Sequence, residues 1–173
     1  MTQEQAFTVA FDEFGDALFR HCFFRVSDRE RAKEIVQDTF MKTWDYVAKG
    51  GEVKQYKAFL YRVANNLIID EYRKKKSESL DALLEQDGVQ EGTFDELHYE
   101  DNLEEQLDLA REAEQLKKEL KSLPEEYQAP VTMRYIDGLS PKEIAEALGE
   151  STNTISVRIH RGIARLKKEH GYA

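Results

Sequence analysis

Residues 140–166 read SPKEIAEALGESTNTISVRIHRGIARL. Ser140 and Glu143 form a capping box, with Pro141 at the first helical position. Ile144, Ala145 and Leu148 are then the buried side of a short helix. Gly149 supplies the left-handed residue that a tight turn needs. Ser151 or Thr152 caps a second helix, in which Ile155, Ile159, Ile163 and Leu166 recur at helical spacing and face inward. A short helix, a Gly turn and a crossing helix make a helix-turn-helix. Its second helix presents Thr152, Asn153, Thr154, Ser156, Arg158, His160, Arg161 and Arg165 outward. In this motif the start of the second helix enters the DNA major groove, and cations farther along reach phosphate. The bland alternative is a plain helical corner with a wet outer face.

A basic helix sits oddly in a chain of 173 residues with a net charge of −9. The charge is unevenly placed. Residues 77–110 carry twelve acidic side chains and no Lys or Arg, whereas the parts on either side are slightly basic. Local charge, not the total, is what a nucleic acid meets. The acidic stretch also holds Gly88 and Gly92, and it reads as a linker, 77–111, whose second half from about Asp95 joins the next helix. It is either a solvated tether or an anionic strand suited to a basic channel. With 9 Gly and 3 Pro, helix is favoured over strand and turn. No apolar run approaches the ~18 residues of a membrane span, and the first residues lack a basic signal-peptide region. The single cysteine, Cys22, excludes an internal disulfide, fits a reducing cytoplasm and reads as a small core residue.

Upstream, Phe7, Phe11, Phe14, Leu18 and Cys22 recur as one helical face. Ser27 and Glu30 form a second capping box. The stripe that follows is Ala32, Ile35, Val36, Phe40, Trp44 and Val47, with Arg31, Glu34, Asp38, Lys42 and Asp45 opposite. Lys49, Gly50 and Gly51 end that helix. A third helix starts near Tyr56, buries Phe59, Leu60, Val63, Leu67 and Ile68, and ends in Arg73-Lys74-Lys75-Lys76. Tyr56, Phe59, Tyr61 and Tyr72 alternate with Lys54, Lys57, Arg62 and Arg73, a mixture suited to stacking unpaired bases beside phosphate. A helix over 112–122 and another opened by Pro124, Glu125 and Glu126 lead to the helix-turn-helix. The reading is all-α, with two small helical domains at 1–76 and 112–173. No nucleotide-binding Gly loop, metal cluster or nucleophile–base pair is seen. His21, His98, His160 and His170 stand isolated, so no enzyme activity, metal or cofactor is expected.

Three segments in order, SDRERAKEIVQDTFMKTW (27–44), YKAFLYRVANNLIIDEYRKKK (56–76) and LPEEYQAPVTMRYIDGLSPKEIAEALGESTNTISVRIHRGIARLKK (123–168), resemble the extracytoplasmic-function (ECF) sigma factors of bacterial RNA polymerase. The resemblance covers nearly the whole chain and implies specific roles. The second helix, around Glu34, Gln37, Asp38 and Lys42, would dock on a coiled coil of the polymerase largest subunit. The third, with Tyr61, Arg62, Asn65, Asn66, Asp70 and Arg73, would recognise and open the −10 element. The last helix would read the −35 element, and its domain would meet the polymerase flap. The linker would thread the RNA exit path, and an anti-sigma factor would hold the protein inactive. Phe59, Asn65 and Ser156 depart from residues common in the family (Trp, Arg, and Lys or Arg). A rival reading is a stand-alone helix-turn-helix regulator, which would need a sensor or dimer domain in the N-terminal half.

Overall fold

The computed structural model describes residues 1–26, 28–81 and 103–171. Among these the chain forms seven helices and no strand: α1 (Gln3–Arg25), α2 (Arg29–Ala48), α3 (Tyr56–Asp81), α4 (Leu103–Ser122), α5 (Glu125–Tyr135), α6 (Pro141–Leu148) and α7 (Thr152–His170). Most of the expected linker, and His98 with it, lies outside the described residues.

Local capping chemistry explains where most helices begin. Thr2 and Gln5 form a reciprocal capping box at α1. Ser140 and Glu143 do the same at α6, each side chain bonded to the other's backbone N–H at 3.1 Å. The Ser151 hydroxyl accepts the Thr154 N–H at 3.1 Å and starts α7. At α2 the capping residue differs from the expected one. Asp28 is the N-cap and accepts the Glu30 and Arg31 N–H groups. An ionised carboxylate at a helix N-terminus also meets the positive end of the dipole. Ser27 lies outside the described residues. Pro124 is the N-cap of α5 rather than its first helical residue. The basic run 73–76 does not end α3, which continues to Asp81.

α1, α2 and α3 pack against one another, α5 packs on α7, and α6 packs on both α3 and α7. The buried stripe of α2 is Ala32, Ile35, Thr39, Phe40, Thr43 and Val47. Trp44, expected inside, is 40% exposed, and two threonines are buried instead. They can be buried because their hydroxyls donate to the carbonyls one turn back, Thr39 to Ile35 at 2.7 Å and Thr43 to Thr39 at 2.8 Å. Phe11, also expected inside, is 53% exposed and rests edge-on against Phe40.

The two halves share a core. One apolar cluster includes Leu18, Cys22, Leu60, Tyr61 and Ile68 from the first three helices, and Met133, Leu139, Ile144, Ala147 and Ile155 from the last three. A smaller cluster of Leu120, Leu123, Val131 and Leu166 ties α4, α5 and α7 together, with Phe24 of α1 against it. Helices α5 and α7 approach closely at Gly162, where a Cβ would lie 2.6 Å from Val131 Cγ2 and 3.4 Å from Tyr127 Cβ. Gly162→Ala is therefore expected to lower stability by about 1 kcal/mol. The overlap costs about 1–3 kcal/mol and outweighs the roughly 1 kcal/mol that Ala gains over Gly in a helix. A urea midpoint equal to wild type would show that the two helices can part at no cost.

Candidate nucleic-acid and polymerase interfaces

The helix-turn-helix is built as its local chemistry dictates. α6 ends at Gly149, whose φ of 68° is left-handed and costs a residue without Cβ little. α7 leaves the turn with Ile155, Ile159, Gly162 and Leu166 buried. Its exposed face carries Thr152, Asn153, Ser156, His160, Arg161 and Arg165. Thr154 is half-buried, because its backbone and hydroxyl both serve the Ser151 cap. Arg158, expected outward, is half-buried. It turns back to Glu150 at 3.4 Å and lines a cleft between the two halves. Val157, missed by the polarity pattern, is 37% exposed among the polar residues of this face. The helix phase set by Ile155 and Ile159 places it outside.

The expected −10 residues on α3 fall into three settings. Asn66, Asp70 and Arg73 are exposed. Asn65 is 8% exposed, and its carbonyl oxygen accepts the buried Arg25 guanidinium at 2.9 Å. Tyr61 is buried and is not a surface aromatic in this form. Its ring meets the His21 ring edge-on at 5.3 Å, and its hydroxyl lies beside Asp137. Burial, and then the negative charge of Asp137, push its ionisation above the ordinary tyrosine range. Arg62 is engaged by α6, donating to the Glu146 carbonyl at 2.6 Å and the Ala147 carbonyl at 3.1 Å. These are among the last carbonyls of α6, where a cation also meets the negative end of the helix dipole.

His21 is not isolated. Its Nδ1 lies 2.7 Å from Asp137 Oδ2, with both side chains fully buried. A carboxylate only accepts, so Nδ1 carries the proton. A second exception to the separate reading of the two halves is Lys57, which pairs with Glu143 at 2.8 Å. Lys57 and the Ser140 backbone hold the Glu143 carboxyl below the usual carboxylate range.

On α2, Glu34, Gln37, Asp38 and Lys42 are all exposed along one side of the helix. Arg31 bridges Glu34 and the buried Glu71 of α3, at 2.5 and 2.7 Å, which fixes α2 against α3. Met41, 66% exposed, and Trp44 stand beside the four polar residues. The polar face therefore carries an apolar centre that the charge pattern did not reveal. Among the described residues no group of His, Cys, Asp and Glu could hold a metal ion, and no helix is long and apolar enough to cross a membrane.

Known proteins share this arrangement. A family model described as Sigma-70 region 2 matches residues 10–78, and one described as Sigma-70, region 4 matches residues 113–166. The chain is 30% identical over 169 residues to the ECF RNA polymerase sigma factor SigW of Bacillus subtilis (strain 168), covering 96% of this chain and 89% of SigW. It is 28% identical to the sigma factor YlaC of the same organism, over 90% of this chain and 87% of YlaC. Among solved structures it shares its fold with the sigma factor RpoE of Bartonella quintana, solved with the anti-sigma factor NepR. That match has a TM-score of 0.70 at 23% identity and covers 95% of this chain and 96% of RpoE. CnrH, solved with the cytosolic domain of CnrY, also matches at a TM-score of 0.70, with 20% identity, over 98% of this chain and 90% of CnrH. With region 2 and region 4 in order along one all-helical chain, and a relative alike over nearly its full length, this protein belongs to the extracytoplasmic-function family of RNA polymerase sigma factors.

Proposed function

We propose that residues 1–76 dock on core polymerase and open the −10 element, that residues 112–173 read the −35 element, and that the acidic 77–111 segment connects the two. As a sigma factor, the protein directs RNA polymerase core to promoters and supports initiation there. The observation that carries the division of labour is the exposed face of α7, where Asn153, Ser156, Val157, His160, Arg161 and Arg165 stand on a helix held from behind by four buried residues. Asn and Arg there suit base edges, Val157 suits a thymine methyl, and the farther arginines suit phosphate.

On α3 the reading gives Asn66, Asp70 and Arg73 to the −10 element, with Tyr61, Arg62 and Asn65 joining them once uncovered. On α2 it gives Glu34, Gln37, Asp38 and Lys42 to the largest-subunit coiled coil, around Met41 and Trp44 as the apolar centre. The second domain would also meet the flap. RpoE was solved with the anti-sigma factor NepR, which supports an anti-sigma factor as a partner here. The reading places the protein in the cytoplasm, without catalytic chemistry or cofactor. The stand-alone regulator is not favoured, since a region 2 match fills the half where it needs a sensor.

Run-off transcription with core polymerase across a genomic DNA library is the test. Core supplied with this protein should start RNA at a discrete set of promoters, and no RNA at any template site would defeat the reading. Arg161→Ala should weaken −35 binding by about 1–3 kcal/mol if the side chain touches a base, or lower the salt slope by about 1 if it touches phosphate. Fluorescence anisotropy across a salt series separates the two outcomes, and no change in either would remove Arg161 from the interface.

A further inference from the structure

The cleft that Arg158 borders has a volume of about 640 Å³ and is lined by α3, α5 and the turn into α7. That lies within the range of small-molecule sites, about 300–1,000 Å³. Its lining has three kinds of surface. The α3 side is cationic and amide-bearing, with Asn66, Ile69 and Arg73 at the spacing that puts residues on a common helical face. Arg25 of α1 adds a guanidinium that is 2% exposed. It donates to the Asn65 Oδ1 at 2.9 Å and lies over the Tyr72 ring, yet its Nε has no hydrogen-bond partner among the described residues.

The α5 side accepts rather than donates. Glu125 and Glu126 open that helix with exposed carboxylates. Pro130, inside the helix, has no N–H, so the Glu126 carbonyl one turn back lacks its α-helical donor. The rest of the lining is apolar, with Ile69, Ala129, Pro130 and Leu148. A matching ligand carries an anionic group, an apolar body and several hydroxyl donors. Arginines take phosphate through paired N–H groups, and carboxylates accept from ribose hydroxyls. Arg25, Arg73 and Arg158 against Glu125, Glu126 and Glu150 leave the cleft formally neutral, which suits one short phosphate group better than a polyanion. We propose that this cleft binds a nucleoside mono- or diphosphate, with the phosphate on Arg73 and Arg158, the base against Ile69, Pro130 and Leu148, and the ribose hydroxyls on Glu125 and Glu126. Such a site goes beyond the sigma-factor role and needs neither polymerase nor promoter.

Isothermal titration calorimetry of the full chain with ADP and with GDP is the test. At least one of them should bind. Inorganic phosphate and the free nucleoside should each bind at least about tenfold more weakly, because each fills only part of the cleft. Arg73→Ala and Glu126→Ala should each weaken the nucleotide about tenfold, the loss of one charge-assisted hydrogen bond. Both side chains are exposed, so both variants should keep the wild-type circular dichroism. Absence of binding by either nucleotide at millimolar concentration overturns the proposal. So does binding that both variants leave unchanged, or inorganic phosphate binding as tightly as the nucleotide, which would reveal a plain anion site. Should one variant fail to fold, the other decides. No polymerase is present, so the outcome is independent of run-off transcription.

Discussion

Ile155→Ala is expected to lower the unfolding free energy by about 2–5 kcal/mol, the range for deleting buried aliphatic groups. Ile155 is fully buried in the cluster shared by both halves, at the first inward position of α7. Its truncation leaves a cavity where α7 begins, and a helix of 19 residues anchored on one side has few ways to collapse into it. Single domains have about 5–15 kcal/mol of stability in all, so the variant should unfold at a clearly lower urea concentration than wild type. Urea unfolding followed by circular dichroism checks the size of the effect, with an unchanged slope showing that the unfolded state is the same. Val157→Ala, two residues along and exposed, should stay within about 0.5 kcal/mol on the same measurement. Equal losses at both positions would mean that the phase of α7 differs from the one described.

Alkaline pH should destabilise the protein, chiefly through Cys22. Burial pushes its thiol up to about 12 in the folded chain, whereas an unfolded cysteine ionises near ~8.5. The unfolded state therefore binds fewer protons between those values, and stability falls as pH rises through them. The contribution is fully present below ~8.5 and is lost at about 1.4 kcal/mol per pH unit above it, on the order of 3 kcal/mol by pH 11. Tyr61, whose ionisation burial also raises, adds to the loss above ~10. Lys121 acts oppositely in part of the window. Burial, and then the charge of Lys117, lower it to about 8. The folded chain releases that proton before the unfolded one does, so stability is gained from about 8 to ~10.4. The difference between wild type and Cys22→Ala isolates the thiol. Ala should be the less stable at pH 7.5, with the gap closing and then reversing by pH 11. A gap that stays constant across that range would falsify the assignment.

Much of the fold is legible in short stretches. The Ser140–Glu143 box, the Gly149 turn, the Ser151 cap and the spacing of Ile155, Ile159 and Leu166 involve residues within a turn or two of one another. Their chemistry acts without reference to the rest of the chain, and the helix-turn-helix follows. The same holds for the polar side of α2, whose Glu34, Gln37, Asp38 and Lys42 stand exposed as a helical phase from Ala32 and Ile35 requires. The start of α2 shifted by a residue because Asp28 offers a capping carboxylate next to Ser27, and α5 starts one residue later because Pro124, which makes no side-chain capping bond, stands at its N-cap. Trp44 went to the outside, and Thr39 and Thr43 to the inside, because hydrophobicity fixes a face only on average. A hydroxyl that bonds one turn back can be buried as readily as a methyl group.

The sequence by itself determined an all-helical chain with a DNA-reading motif near one end, a cation- and aromatic-rich helix nearer the other, and the acidity concentrated between them, because capping, periodicity and local charge are short-range properties. Only the tertiary structure decided that His21 meets Asp137 across 116 residues, that Tyr61 is buried against the pair, and that Arg62 caps α6. A bond between groups so distant in sequence exists only once apolar burial has brought α1, α3, α5 and α6 together. No pattern within a single helix can encode which partner will be waiting there.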